Sequence, residues 1–359
     1  MTDMTDISQQ LQDQILSARA RGRTLNIVGG GSKAFMGRTV DQNSEALNLA
    51  PHSGIVSYQP VELVLTARAG TRLFEIEAAL AENNQMLTFE PPHFSDQATL
   101  GGTLACNQSG AGRPWWGSVR DQVLGVRLLN GRGEHLRFGG QVMKNVAGYD
   151  VSRLQAGAMG TLGAITEVSL KVLPKPCCSQ TLVREMGLDA AIELMAARAA
   201  ESKPLTAACW LDGRLYLRLS GSQLAVRASL SLWQERVLDE GEGTLFWRGL
   251  GDQSLAFFQG EQPLWRFSVR STASNPTLDG DWLIDWGGAQ RWYRGSGERA
   301  RMEALAAEMG GQVSLFRGGD RQDEVMHSQP PALQLIQQRL KHSFDPDGLF
   351  NPGRLYSWL

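Results

Sequence analysis

Cysteine, histidine and charge of one sign are all scarce in this sequence, and each shortage closes off a class of function. Four cysteines stand at 106, 177, 178 and 209 without C-x-x-C spacing. The adjacent Cys177 and Cys178 do not make an ordinary metal or cluster framework, so all four read as reduced structural thiols. The five histidines, His52, His93, His135, His327 and His342, lie singly, which argues against a histidine-built metal site. Thirty-five Lys and Arg against 37 Asp and Glu leave a net charge of -2 with no basic run, so nothing favours nucleic acid or an anionic membrane surface. No apolar run approaches the ~20 residues of a membrane span, and the acidic start MTDMTDISQQLQDQ lacks the features of a secretory signal. The chain is therefore expected in the cytoplasm, at a membrane only through partners.

What is abundant is glycine, 40 residues in 359, in a chain that is 42% hydrophobic and long enough for two or three domains. Ile7, Leu11, Ile15 and Ala18 predict a helix stopped by Gly22, and TLNIV a short strand. SGIVSYQP and ELVLTARAG read as strands, followed by a helix through Leu73, Ile76, Ala79 and Leu80 capped by Thr71. Residues 91–122 read as a long, weakly structured functional stretch. QVLGVRLLNGRGEHLRFGG predicts a hairpin with Asn130 and Gly131 suited to positive φ, and GAITEVSLKVLPKP a strand of about eight residues. Beyond Pro176 the order strand, helix, strand, strand, helix suits a ferredoxin-like unit. Residues 240–320 read as strand-like and aromatic before the helix ERARMEALAAEM and the strand QVSLF, and the chain ends in a helix and a proline-glycine turn. No internal repeat is evident.

The strand TLNIV runs into VGGGSKAFMG, where Gly29, Gly31 and Ala34 match the dinucleotide fingerprint G-x-G-x-x-G/A. That fingerprint requires a helix after the turn, so that its N-terminus meets the pyrophosphate, and SKAFMGRTVDQNSEAL predicts another short strand instead. A Walker A loop is excluded because Ser32 and Lys33 follow the glycines directly. What remains is a run of unhindered N–H groups able to converge on an anion. Two further clusters repeat this chemistry, one at Thr99, Gly101, Gly102, Thr103, Asn107, Ser109 and Gly110, the other at Gly160, Thr161 and Gly163. Three such loops suit a long phosphate-bearing cofactor, and equally three tight turns.

Taken in order, VGGGSK, FEPPHF with ATLGGTLACNQSGAGRPWWGSVRDQVLGV, KNVAGYDVSRL, GAMGTLGAITEVSLKVLPKP and FDPDGLFNPGR resemble the PCMH-type, or vanillyl-alcohol-oxidase-type, FAD-binding family. Within it they resemble the FAD-binding subunits of bacterial glycolate oxidases, over essentially the whole chain. The resemblance implies an α+β protein: a PCMH-type FAD-binding domain of two α/β subdomains over residues 1–176, a ferredoxin-like cap over 177–325, and a segment 326–359 returning to the flavin. It implies that Gly29, Gly30, Gly31, Ser32 and Lys33 hold the pyrophosphate. Pro92, Thr99, Leu100, Gly101, Gly102, Thr103, Asn107, Ser109, Gly110 and Arg113 would line the flavin and its phosphates. Gly160, Thr161, Gly163 and Ile165 would flank the adenine side, and Asn351 would lie near the isoalloxazine. Ser32 stands where some relatives carry a flavin-tethering histidine, so the FAD is expected to be noncovalent.

The resemblance further implies a complex oxidising glycolate, and D-lactate as a second substrate, beside a homologous catalytic FAD subunit and an iron–sulfur subunit that passes electrons to quinone. This would place the chain in the cytoplasm, peripheral to the inner membrane through those partners. The histidine-rich motifs H-x-G-D-G-x-x-H and E-H-G-x-G of hydroxyacid-oxidising relatives are absent here. Oxidising a 2-hydroxy acid needs a base, a cation for the carboxylate and a C–H held against the flavin. Arg266 and Arg270 in LWRFSVRS are the carboxylate clamps on offer; no side chain stands out as the base, and His327 and His342 read as helix or surface residues. Two rival readings stay open: a structural subunit whose Trp115, Trp116 and cap tryptophans dock partners, and a stand-alone flavin alcohol oxidase.

Overall fold

The computed structural model describes residues 6–140 and 150–359. Lys144 to Tyr149 of the stretch KNVAGYDVSRL thus lie outside the described residues. The first helix, α1 (Ser8–Ala20), buries Leu11, Ile15 and Ala18, one stripe at helical spacing. Strand β1 (Leu25–Val28) then pairs in parallel with β2 (Glu45–Asn48). Parallel neighbours usually need a helical crossover. Here the crossover is the glycine run and a series of turns, with no helix between the two strands.

A second layer follows in chain order: β3 (Ile55–Gln59), β4 (Val64–Arg68), α2 (Leu73–Ala81), β5 (Gln85–Met86), α3 (Leu100–Cys106), α4 (Arg113–Trp116), α5 (Val119–Gln122), β6 (Val123–Leu129), β7 (His135–Gly139), α6 (Val151–Leu154), β8 (Ala164–Lys171) and β9 (Leu173–Pro174). Its antiparallel sheet has the order β3-β4-β8-β6-β7, with β5 and β9 paired apart from it. Helix α3 packs on β4 and β8. This layer and α1 share one apolar core containing Ile15, Leu65, Ile76, Leu104, Leu128 and Val168.

Three local expectations need correction. Thr71 does not cap α2: its hydroxyl donates to Arg68 O at 2.7 Å and accepts from Gly54 N at 2.9 Å, and Arg72 is the N-cap. Residues 91–122 are not structureless, because Thr99 caps α3 by accepting from Gly102 N and two further short helices follow. In the hairpin the left-handed residue is Gly133, at φ 76°; Asn130 instead accepts from the Arg132 and Glu134 amides, a side-chain-closed turn.

The rest is built around one eight-stranded sheet. Its elements are β10 (Cys178–Glu185), α7 (Leu188–Ala200), β11 (Leu205–Leu211), β12 (Arg214–Gly221), α8 (Gln223–Trp233), β13 (Arg236–Val237), α9 (Glu240–Gly251), β14 (Leu264–Ser268), β15 (Asp281–Asp285), β16 (Gln290–Arg294), α10 (Arg299–Glu308) and β17 (Gln312–Arg317). The order β13-β10-β12-β11 is that of a ferredoxin-like βαββαβ unit, and it continues through β15-β16-β14-β17. Read from its own edge, the second set repeats the first unit's strand order, joined at β11 and β15, so the sheet is topologically doubled although the sequence shows no repeat. Residues 240–251 are a helix and not strand-like: Asp239 accepts from the Gly241 and Glu242 amides, while Glu240 and Glu242 suit the positive end of its dipole.

The two parts share a core in which Met36, Ala111 and Met159 meet Cys209, Trp247, Phe258 and Trp292 of the cap. The last helix, α11 (Pro331–Phe344), returns the chain to β1, where Leu25 N donates to Leu349 O at 2.7 Å. The anchor is Lys341, whose Nζ donates at 2.7 Å each to Asp345 Oδ2, Thr161 O and Phe350 O. Asp345 in turn accepts from the Leu349 and Phe350 amides. Removing one partner of such a buried pair leaves the other charge uncompensated. Lys341→Met is therefore expected to lower unfolding stability by about 3–5 kcal/mol, measured by denaturant titration; a loss below about 1 kcal/mol would show that the anchor is dispensable.

Candidate flavin and anion site

Strand β1 ends in the first glycine loop, and the local reason for glycine is steric. A Cβ on Gly30 would lie 1.5 Å from Gln97 O, and Gly31 has φ +74°. The loop turns on Ala34 N to Gly31 O and Met36 N to Lys33 O. Among the described residues, none of the backbone N–H groups from Gly29 to Lys33 is spent on a hydrogen bond. Five consecutive free donors beside a cavity form an anion nest.

That cavity is lined by Gly29, Gly30, Gly31, Ser32 and Lys33, by Thr99, Gly101 and Gly102, and by Gly160, Gly163, Ile165 and Asn351. The three glycine loops thus converge on one trench. Lys33 is 7% exposed, and the polar contact of its Nζ is Ser32 Oγ at 3.4 Å. Burial pushes its ammonium down to about 8. A buried cation facing a nest of donors suits a pyrophosphate.

The trench continues toward the cap, because Met36, Cys106 and Met159 line both this cavity and a second one of about 390 Å³. The second is lined by Asn107, Arg113, Arg266, Trp286, Arg321 and His327, among others. Across both cavities the charged side chains are Lys33, Arg354, Arg113, Arg266 and Arg321, and no Asp or Glu lines either among the described residues. Burial holds Arg266 and Arg321 down to about 10, still cationic at neutral pH. The Arg113 and Arg266 guanidinium centres lie 4.4 and 5.1 Å from the Trp286 ring centroid. Trp286 is itself fixed by Nε1 donating to Gly110 O at 2.9 Å. Arg266 Nε donates to Gln290 Oε1 at 2.6 Å, so its remaining N–H groups are left for an anion.

The remaining expected residues are spread between the glycine-loop cavity, the layer behind it, a small cavity against the cap and the end of α10. Leu100, Thr103 and Thr161 are buried and line neither cavity; Thr103 Oγ1 has no partner among the described residues, and Thr161 Oγ1 donates to Ala158 O. Pro92, Ser109 and Gly110 line a separate small cavity against the cap. Ser109 Oγ accepts from Val119 N, and Gly110 O receives the Trp286 indole. Asn351, expected beside the isoalloxazine, lines the glycine-loop cavity, where its amide is used by Ile27 N and Met159 O. Arg270 donates to Met309 O and Glu308 O at the end of α10, away from both cavities.

His327 is no surface residue of a helix: it lies on the loop before α11 and lines the cap-side cavity, with Nδ1 accepting from Val313 N at 3.4 Å. His342 is exposed on α11. Trp115 packs against the cap core and Trp116 carries the Arg218 guanidinium while lining the outer cavity, so both are engaged within the chain and stay part-exposed. Sequence reasoning missed Arg354, Arg321 and Trp286. Arg354 follows the FNPG turn directly and was legible there; the other two reach the trench only through the cap fold.

Comparison with known proteins agrees with this geometry. The FAD binding domain family matches residues 6–139. Over 99% of its length the chain is 45% identical to glycolate oxidase subunit GlcE of Escherichia coli (strain K12), covering 99% of that protein. The chain belongs to the GlcE family, and it is an FAD-binding protein. Glycolate oxidase subunit GlcD of Bacillus subtilis is 35% identical over 33% of this chain and 26% of its own length. A D-lactate dehydrogenase of Archaeoglobus fulgidus is 25% identical over 80% of the chain and 76% of its own. A solved structure of alkyldihydroxyacetonephosphate synthase superposes with a TM-score of 0.67 at 15% identity, covering 96% of this chain and 75% of that one, a likeness of fold.

The fit of FAD to this trench makes Lys33 a direct test. Lys33→Met is expected to weaken FAD binding by about 1.5–3 kcal/mol, roughly tenfold to a hundredfold in Kd. In the apoprotein Lys33 loses its proton as pH rises through about 8, so FAD affinity should fall there in the native chain and stay flat in Lys33→Met. Fluorescence titration of apoprotein with FAD measures both; an unchanged Kd would remove Lys33 from the site.

Proposed function

We propose that this chain is the FAD-holding subunit of a complex that oxidises glycolate, and D-lactate as a second substrate, to the corresponding 2-oxo acid. The observation that carries the reading is the row of cations without carboxylates along the trench, which suits a pyrophosphate at one end and a substrate carboxylate at the other. In this reading residues 1–176 hold the cofactor, 177–325 form the cap, and 326–359 close the site through Asn351 and Arg354. The FAD is noncovalent: Ser32 offers no tether, and burial holds the Cys106 thiol in its protonated, unreactive form.

Bound FAD supplies a two-electron acceptor that can release its electrons singly. The protein's own residues supply the rest. Gly29 to Lys33 receive the pyrophosphate, while Arg113 and Arg266, both against Trp286, hold the hydroxy acid's carboxylate. With Nδ1 of His327 accepting from the Val313 amide, Nε2 is the ring nitrogen left for the anion in this cavity.

A homologous catalytic FAD subunit and an iron–sulfur subunit that feeds quinone complete the proposed complex, since the four cysteines here are free and scattered. Among the described residues no helix is long and apolar enough to cross a membrane, which agrees with a subunit in the cytoplasm held peripherally at the inner membrane by its partners.

The assembled complex tests the clamp. Arg266→Met and Arg113→Met should each raise the KM for glycolate about tenfold or more, the cost of one charge-assisted hydrogen bond. Arg270→Ala should leave KM and kcat within about twofold, as for a surface change away from any such feature. Unchanged kinetics in both Arg266→Met and Arg113→Met would overturn the assignment and leave the chain a structural subunit.

A further inference from the structure

Arg266 does not stand alone. Its Nε donates to Gln290 Oε1 at 2.6 Å, and Gln290 Nε2 donates to Asp285 Oδ2 at 3.2 Å. The other oxygen of Asp285 accepts from Trp286 N at 2.7 Å, so the carboxyl is tied to the indole on which both arginines rest. Asp285 and Gln290 are each 3% exposed. Because the Gln290 oxygen faces Arg266, its amide must face Asp285: the chain has a single polarity.

We propose that Asp285, acting through Gln290, is the positioning residue that orients Arg266, and that anion binding at Arg266 is coupled to uptake of a proton by Asp285. The proposal rests on the reading of the cap-side cavity given above. Neither Asp285 nor Gln290 lines that cavity, so their effect passes through Arg266.

Protons have their own way in. Asp285 and Gln290 line a cavity of about 20 Å³ together with Gln108, Ser109 and Gln253. That is room for one water with several polar partners. The cavity shares Gly110, Ala111 and Gly251 with a larger outer cavity whose ionisable lining includes Glu77, Glu90, His93 and Asp252. Asp285 thus borders a cavity other than the one that Arg266 lines, so in this proposal its proton comes from the outer-cavity side.

The charges facing Asp285 are few. Arg266 on β14 favours its ionised form and Glu90 opposes it; Arg113 bears on Arg266, and Cys209 on β11 stays a thiol beside the carboxyl. Glu90 is itself paired with Arg218 at 2.7 Å. Burial outweighs the hydrogen bonds from Trp286 N and Gln290 and the smaller pull of Arg266, and lifts Asp285 to about 7. Below that pH Asp285 is neutral and the charge of Arg266 is unopposed. Above it the carboxylate offsets Arg266, so anion affinity falls as pH rises; by linkage, a bound anion draws a proton onto Asp285.

The test uses the full chain loaded with FAD and oxalate as a redox-inert anion, read by perturbation of the flavin absorption band. Native protein should bind oxalate roughly three- to tenfold more weakly above the Asp285 transition than below it. Asp285→Asn should lose that pH dependence, and Gln290→Met should bind more weakly throughout. If Arg266→Met binds oxalate like the native chain, the reading of the cavity fails. If Arg266→Met abolishes binding while Asp285→Asn keeps the native profile, the coupling is overturned. Should Asp285→Asn lose FAD, calorimetry of the native protein in buffers of different ionisation enthalpy decides: fractional proton uptake near pH 7 supports the proposal, and none overturns it.

Discussion

Positive charge withdrawn from solvent, with no carboxylate lining the same cavities, is the constraint around which this molecule is arranged. Lys33, Arg354, Arg113, Arg266 and Arg321 line two adjoining cavities, which share Met36, Cys106 and Met159 and have no carboxylate in their lining among the described residues. Taking cations out of water costs free energy unless an opposite charge accompanies them. The chain tethers two of them to backbone oxygens, Arg354 to Arg38 O and Ala34 O, Arg321 to Gly37 O and Leu315 O. Carbonyl dipoles hold these guanidiniums in place without neutralising them, which leaves the compensating charge to the ligand.

The fold serves that arrangement from three sides. The glycine loop after β1 replaces a helical crossover, so free N–H groups line the trench where another fold would present a helix end. The C-terminal return closes the wall, since the Lys341–Asp345 anchor fixes the segment in which Asn351 bridges Ile27 and Met159. The doubled cap sheet carries Arg266, Gln290 and Trp286 down onto the Gly110 loop. Each part is anchored by buried polar contacts and not by apolar packing alone, which keeps the cations in register.

Much of this was legible in the sequence, and what was not has physical reasons. The three glycine loops were readable because close backbone approach admits few alternatives, and the missing helix after Gly31 was enough to set aside a Rossmann turn. Gly110 and Ser109 line a small cavity apart from the glycine-loop one, which the sequence left open because their residue types suit a phosphate loop as well as a loop that receives a cap tryptophan. The helix at 240–251 escaped notice because its four glycines hide a pattern that the Asp239 cap and the burial of Trp247 and Leu250 impose. Arg266 and Arg270 stand four residues apart and look alike in sequence; only the cap fold sends one to the trench and the other to the end of α10.

The central claim is that the nest at Gly29 to Lys33 and the buried Lys33 ammonium receive the FAD pyrophosphate. A structure of the chain with FAD bound tests it most directly. Pyrophosphate oxygens should lie within hydrogen-bonding distance of those N–H groups and of Lys33 Nζ, with the flavin ring reaching past Cys106 toward Arg266. A pyrophosphate held elsewhere, with the Gly29 to Lys33 amides left unbonded, would contradict it.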